Sequence, residues 1–226
     1  MSALRTRWII TSLFAGLAIA ACAGGSGGET EPGPDTGSTA ELEALYRART
    51  DSARMRFTEA DVRFMTGMIG HHGQALVMSE MAPRNGASSS IQTLAARIIN
   101  AQKDEIATMQ AWLRDRGQPV PELRIEGSTL MMDGHHAMHM PGMLTPEQIQ
   151  ELDEARGPEF DRLFLTYMIQ HHQGAVTMVH ELFASDGAAQ DEAAFKLASD
   201  IQVDQLTEIA RMELMLESLS APDSGQ

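Results

Sequence analysis

From Thr58 onward, apolar residues recur every three to four positions in four long runs, separated by Gly, Pro and Asn. That spacing marks amphipathic helices. The first run opens at Thr58, with Asp61 three residues on as in a capping box, and breaks at Pro83 and Asn85-Gly86. The second covers about Ser90 to Arg116 and stops at Gly117, with Pro119 and Pro121 just beyond. Thr145-Pro146-Glu147-Gln148 combines an N-cap, a proline at the first helical position and a Gln at N3, and predicts a short helix ending near Gly157. The third long run starts at Pro158 and ends near Asp186-Gly187; the fourth spans about Asp191 to Leu219. Residues 40–56 carry a weaker helical pattern. No stretch alternates as a strand would, so no strand is expected. The predicted class is all-α: an antiparallel four-helix bundle of two helical hairpins joined by a longer crossover.

The hairpins are copies of one unit. At an offset of 100, nine of the twenty positions 61–80 are identical, giving D-x-x-F-x-T-x-M-I-x-H-H-x-x-A-x-x-M. At an offset of 103, Leu94–Met109 matches Leu197–Met212 at eight of sixteen positions, Gln102 with Gln205 and Glu105 with Glu208 among them. The first repeat is residues 57–117, the crossover 118–157 and the second repeat 158–219.

What precedes the repeats reads as an export device. Arg5 and Arg7 head an apolar stretch too short to span a bilayer well, ending in Ile19-Ala20-Ala21-Cys22, the form of a bacterial lipobox. Residues 1–21 are expected to be a lipoprotein signal, with Cys22 the lipidated residue. Ala23 after it favours the outer membrane in a diderm host, on the periplasmic side. Residues 22–39 are a polar, Gly-rich tether. The membrane is then a partner through the anchor rather than through a span. Cys22 is the only cysteine, so disulfides, thiolate metal sites and cysteine nucleophiles are excluded from the mature chain. Loss of Arg5 and Arg7 leaves 15 basic residues against 31 acidic ones. That balance argues against nucleic acid as a partner.

The candidate chemistry lies in the repeat. At about 100° per residue, Phe64, Met68, His71, His72 and Ala75 share one arc of their helix, the core-facing one. Met68 precedes the two histidines by three and four residues and neighbours both. Met168, His171 and His172 repeat the arrangement. If the helices pack face to face, four imidazoles and two thioethers converge as a metal site. Gln102, Glu105, Gln205 and Glu208 lie on the facing stripes, as partners that would fix the imidazole tautomers. The plain alternative is a set of core histidines hydrogen-bonded to those same residues. Asp61 and Asp161 lie about 15 Å along the helix from the histidines, so they are expected to serve only the first turn and its dipole.

The crossover adds MMDGHHAMHMPGM at 131–143, five Met and three His in thirteen residues. Gly134, Pro141 and Gly142 oppose a packed helix there, so the candidates are His135, His136, Met138, His139 and Met140. Thioether with imidazole suits Cu(I), or Ag(I), better than hard cations. A ferritin-like di-iron site needs Glu-x-x-His, and no histidine here has a Glu three residues before it. No catalytic triad, phosphate loop or dinucleotide fingerprint appears.

The duplicated His-His helix, with its Met-Pro-Gly-Met-x-Thr-Pro-Glu-Gln crossover, resembles the domain of unknown function 305 family over about residues 57–217. The resemblance implies a ferritin-like helical bundle, and some members of that family are exported copper-binding proteins linked to copper resistance. It points to Met68, His71, His72, Met168, His171 and His172, and more loosely to the crossover. The expected function is a lipid-anchored protein that sequesters Cu(I) or passes it to a partner protein. A structural bundle without metal is the rival, and a copper-dependent oxidase a further one. Sequence leaves oligomeric state open.

Overall fold

The computed structural model describes residues 38–132 and 140–220. The expected signal segment, Cys22, most of the tether and the crossover residues His135, His136, Met138 and His139 lie outside the described residues. Within them the protein is mostly helical, with six helices and one small two-stranded sheet. The order is α1 (Thr39–Arg54), α2 (Glu59–Arg84), α3 (Ser89–Asp115), β1 (Leu123–Glu126), β2 (Thr129–Met132), α4 (Pro146–Glu154), α5 (Gly157–Ala184) and α6 (Glu192–Ser220). No helix among the described residues is long and apolar enough to cross a membrane.

Local signals set the helix starts. The Thr58 hydroxyl accepts the Asp61 N–H and the Asp61 carboxylate takes the Thr58 N–H at 2.8 Å, a complete capping box for α2. Thr145 and Gln148 do the same for α4. Asn85, 1% exposed, does more than end α2. Its side-chain N–H group reaches the carbonyls of Leu152, Asp153 and Ala155, pinning the end of α4 to the α2–α3 turn.

The expectation of no strands is corrected. β1 and β2 pair antiparallel, Leu123 opposite Met132 and Glu126 opposite Thr129, around the two-residue turn Gly127-Ser128. Gly127 has φ +62°, a conformation that favours glycine. The strands have four residues each, so their alternation is too short to stand out against helical spacing. The hairpin lies on α2 over Gly70 and Gly73, and Gly67 one turn before them lies under Met140 and Met178. A Cβ at Gly70 would come within 2.9 Å of the Met132 sulfur, and one at Gly73 within 2.9 Å of Leu130. The second repeat carries Tyr167, Gln170 and Gln173 at the matching positions. The hairpin therefore has a seat on one repeat and not on the other. Met131 and Met132, read from sequence as loop, are strand residues.

α2 packs along α3, α5 along α6, and α2 against α5; α3 and α6 meet far less closely. The core has two apolar clusters. One joins Phe64 and Met68 of α2 to Ala175, Met178 and Leu182 of α5. The other joins Ala75, Met78 and Met81 of α2 to Phe160, Phe164 and Met168 of α5. The arrangement is reciprocal: the early half of each helix packs on the late half of the other. His71, His72, His171 and His172 lie between these clusters in the chain and are each fully buried.

Asp61 and Asp161 do more than complement a helix dipole. Both are buried, and each holds the loop of the other repeat. Asp61 accepts the Ala189 N–H at 2.7 Å, and Asp161 accepts the Ser88 N–H at 3.1 Å. Ala189 is the only non-glycine residue with positive φ among the described residues, at 52°, and the Asp61 bond holds it there.

Candidate metal centre

His71 and His72 sit midway along α2, and His171 and His172 midway along α5, all at 0% exposure. The centroids of the His71 and His171 rings lie 3.8 Å apart with 37° between their planes. These two form the centre of the layer. His72 and His172 reach outward to the second helix of their own hairpins. His72 Nε2 lies 2.6 Å from Glu105 Oε2, and His172 Nε2 lies 2.7 Å from Glu208 Oε2.

The inner pair uses backbone acceptors instead. His71 Nε2 lies 3.0 Å from the carbonyl of Pro141, and His171 Nε2 lies 3.0 Å from the carbonyl of His71 itself. Carbonyls and carboxylates only accept, so each Nε2 carries the proton. In a neutral imidazole the lone pair then falls to Nδ1. All four Nδ1 atoms are buried and have no hydrogen-bond partner. A buried polar atom without a partner is uncommon and calls for an explanation. One ring nitrogen fixed through N–H to a carboxylate or carbonyl, with the other left as a free lone pair, is how metal-ligating histidines are held. The donor chemistry therefore fits a metal.

For the inner pair, His71 and His171, the protonation equilibria agree with neutral rings. Burial, with the neighbouring His72, lowers His71 to about 3. Burial, with the His71 ring beside it, pushes His171 well below the usual histidine range. A neutral imidazole keeps the lone pair a metal requires.

The crossover closes over the inner pair. Gln74 grips Leu144 with both ends of its amide, donating to the Leu144 carbonyl at 3.0 Å and accepting its N–H at 2.8 Å. Gly142, with φ +74°, lies against Gln170 and Gly174 of α5, and a Cβ at Gly174 would come within 2.0 Å of the Pro141 carbonyl. These fits place the Pro141 carbonyl on His71. Sequence reasoning missed this strap. The glycines at 142 and 174 were its signal, since close backbone approach needs them.

The other predicted positions fall as follows. Met68 and Met168 are fully buried, but in opposite apolar clusters. Met140 lies over α2, where a Cβ at Gly67 would be 3.2 Å from its sulfur and 3.3 Å from the Met178 methyl. Glu105 and Glu208 touch the outer histidines. Gln102 and Gln205, expected beside them, make no hydrogen bond to any of the four rings; both Gln102 side-chain polar atoms and Gln205 Oε1 are buried without a partner. As the side chains stand, no group of three or more His, Asp or Glu among the described residues is placed to hold an ion. Glu105, Glu208, Gln102 and Gln205 also line a cavity of about 240 Å³ between α3 and α6. Asp204 lines it too at its exposed rim, and its carboxyl is raised above its ordinary value by partial burial and by Glu105, Glu208 and Asp200.

The chain is similar to several proteins of known structure. A structure of a DUF305 protein from Streptomyces coelicolor, named as secreted, shares 25% identity over 74% of this chain and 96% of its own, with a TM-score of 0.59. A DUF305 fragment from Deinococcus radiodurans shares 29% identity over 72% and 98%, also with a TM-score of 0.59. CopM in its Cu(II)-bound form shares 31% identity over 70% and 96%, with a TM-score of 0.53. CopM is also matched in Cu(I)-bound and Ag-bound forms. Comparison with curated proteins gives no match. The family model for the domain of unknown function DUF305 matches residues 61–216, which takes in both histidine pairs, both facing glutamates and the strap, and the chain belongs to that family.

Proposed function

We propose that this protein is an exported metal-binding protein, anchored by lipid on Cys22 at the cell envelope, that sequesters Cu(I) or passes it to a partner protein. One observation carries the reading: four buried imidazoles whose Nε2–H groups are held and whose Nδ1 atoms have no partner. Copper and silver as cargo are supported by the CopM forms bound to Cu(I), Cu(II) and Ag. Export is supported by the Streptomyces coelicolor relative. Met68, Met168 and Met140 are the thioether candidates, with the crossover residues His135, His136, Met138 and His139. Glu105 and Glu208 orient the outer rings. In this reading α2, α3, α5 and α6 form an antiparallel four-helix bundle of the ferritin-like kind, with residues 57–219 as one folded unit.

The test is competition for Cu(I) against a chromogenic chelator. The metal-free protein is compared with a variant carrying Ala at His71, His72, His171 and His172, with circular dichroism to confirm that the variant folds. Single substitutions replace it if it does not. Loss of competition supports the reading. Equal competition by folded variants removes the histidines from the site and leaves the structural bundle.

A further inference from the structure

The cavity between α3 and α6 holds donor atoms that the histidine site leaves unused, on Gln102, Gln205 and Asp204 and on the second oxygen of Glu105 and of Glu208. Gln102 and Gln205 are 1% and 2% exposed, and both line this cavity. Neither polar atom of the Gln102 amide has a partner, and Gln205 Oε1 has none. A buried amide left unpaired costs stability, and a position that only needed filling would carry Leu. Both repeats nevertheless place the glutamine three residues before the glutamate, on the same helix face. The sequence copied the pair, and the fold brings the two copies to one cavity.

The charge is also unbalanced. Glu105, Asp204 and Glu208 line the cavity together with Arg97, and no ion pair joins Arg97 to any of them. Each glutamate spends one oxygen, Oε2, on its histidine; Oε1 makes no hydrogen bond among the described residues. Asp204 is exposed and in no ion pair, so it is free to swing. The first repeat has Ala101 at the matching position. Asp204 is therefore particular to the second repeat.

We propose that this cavity is a divalent-cation site with oxygen ligands: the carboxylates of Glu105, Glu208 and Asp204 and the side-chain carbonyls of Gln102 and Gln205. Carboxylate and amide oxygens select hard cations of the Ca²⁺, Mg²⁺ and Mn²⁺ type. About 240 Å³ accommodates the ion with several of its waters, at roughly 30 Å³ each. The carboxylates do not yet close on one point. Asp204 is the ligand that moves. The site is distinct in donors from the imidazole and thioether set, and it does not depend on copper binding.

Mn²⁺ is the probe. Metal-free full-length protein is titrated with Mn²⁺, free ion is followed by electron paramagnetic resonance, and bound ion is located by broadening of assigned nuclear resonances. One saturable ion is expected, with broadening centred on Gln102, Glu105, Gln205 and Glu208. Asp204→Asn, at an exposed position that tolerates the change, is expected to weaken Mn²⁺ by at least about tenfold, the equivalent of one lost charged ligand. Broadening spread over the acidic surface, or equal affinity in Asp204→Asn, overturns the proposal. Cu(I) competition is measured separately, so failure of either site leaves the other standing.

Discussion

His171 donates its Nε2–H to the backbone carbonyl of His71, while the rings of the two residues lie 3.8 Å apart. The two inner rings are thus oriented by unlike means. His171 is held by the main chain of α2. His71 is held by the Pro141 carbonyl, which belongs to a strap of the crossover. The sequence repeat is close to symmetric at these positions, and the hydrogen bonding is not.

This difference gives a test of the strap. Gly174→Ala adds a methyl where the Pro141 carbonyl lies, within 2.0 Å in the present geometry. The strap must lift and His71 loses its acceptor. A destabilisation of about 1–3 kcal/mol is expected from the overpacking and the lost bond. In histidine ¹⁵N spectra the His71 signals should move, with those of His172 staying in place. Unchanged His71 signals would show that the strap does not hold the ring.

Acid should weaken the metal-free protein earlier than its carboxylates require. The folded-state value of His71 is about 3, against 6.5 when unperturbed, and His171 shifts the same way. The unfolded chain therefore binds these protons first. Stability is complete above about pH 6.5 and falls as the pH drops toward the folded value, by up to about 1.4 kcal/mol per pH unit for each ring. Urea midpoints at pH 7.5 and pH 5.5 check this, since most carboxylates remain ionised over that range. Equal midpoints would contradict it.

The outer rings depend on their glutamates. Glu105→Ala leaves the His72 Nε2–H without its acceptor and frees the ring to change tautomer. Partners of this kind are typically worth roughly 10- to 100-fold in metal affinity. Cu(I) competition should weaken by about that factor, and the ¹⁵N pattern of His72 should change from a single tautomer to a mixture. Glu208→Ala should act in the same way on His172.

Far from the histidines, Asp191 ties the start of α6 to the end of α3. It accepts from the Trp112 indole at 3.1 Å and pairs with Arg116, whose guanidinium lies 4.2 Å over the Trp112 ring. Asp191→Ala leaves the Arg116 charge buried and unpaired, at a cost of about 3–5 kcal/mol. The measurement is denaturant unfolding alongside Cu(I) competition. Stability should drop and metal affinity of the folded protein should not.

Much of this molecule was legible in the chain. Thr58 and Asp61, Thr145 and Gln148, and the glycines and prolines after the long runs mark elements by local chemistry, and local chemistry reads directly from sequence. The burial of His71, His72, His171 and His172 followed from helical spacing alone. The hairpin at Leu123–Met132 did not show because four-residue strands give too little alternation. Its seat was visible as Gly70 and Gly73, but glycines at that spacing do not name what lies on them. The Pro141–His71 contact depends on backbone geometry across distant segments, which residue type does not encode. Glu105 and Glu208 were legible as partners of the histidines because they repeat on the facing stripes, whereas Gln102 and Gln205 on the same stripes make no bond to the rings.

The crossed bonds of Asp61 with Ala189 and of Asp161 with Ser88 bear on how such a chain came about. Each half closes the loop of the other, so neither half is complete alone. Two identical half-length chains would make both bonds around a true twofold axis, as isologous dimers do. Fusing two such genes then frees each half to diverge. The present chain would then keep, as bonds between its halves, what such a dimer used as bonds between subunits, and the glycines under the hairpin and Asp204 mark where the halves differ.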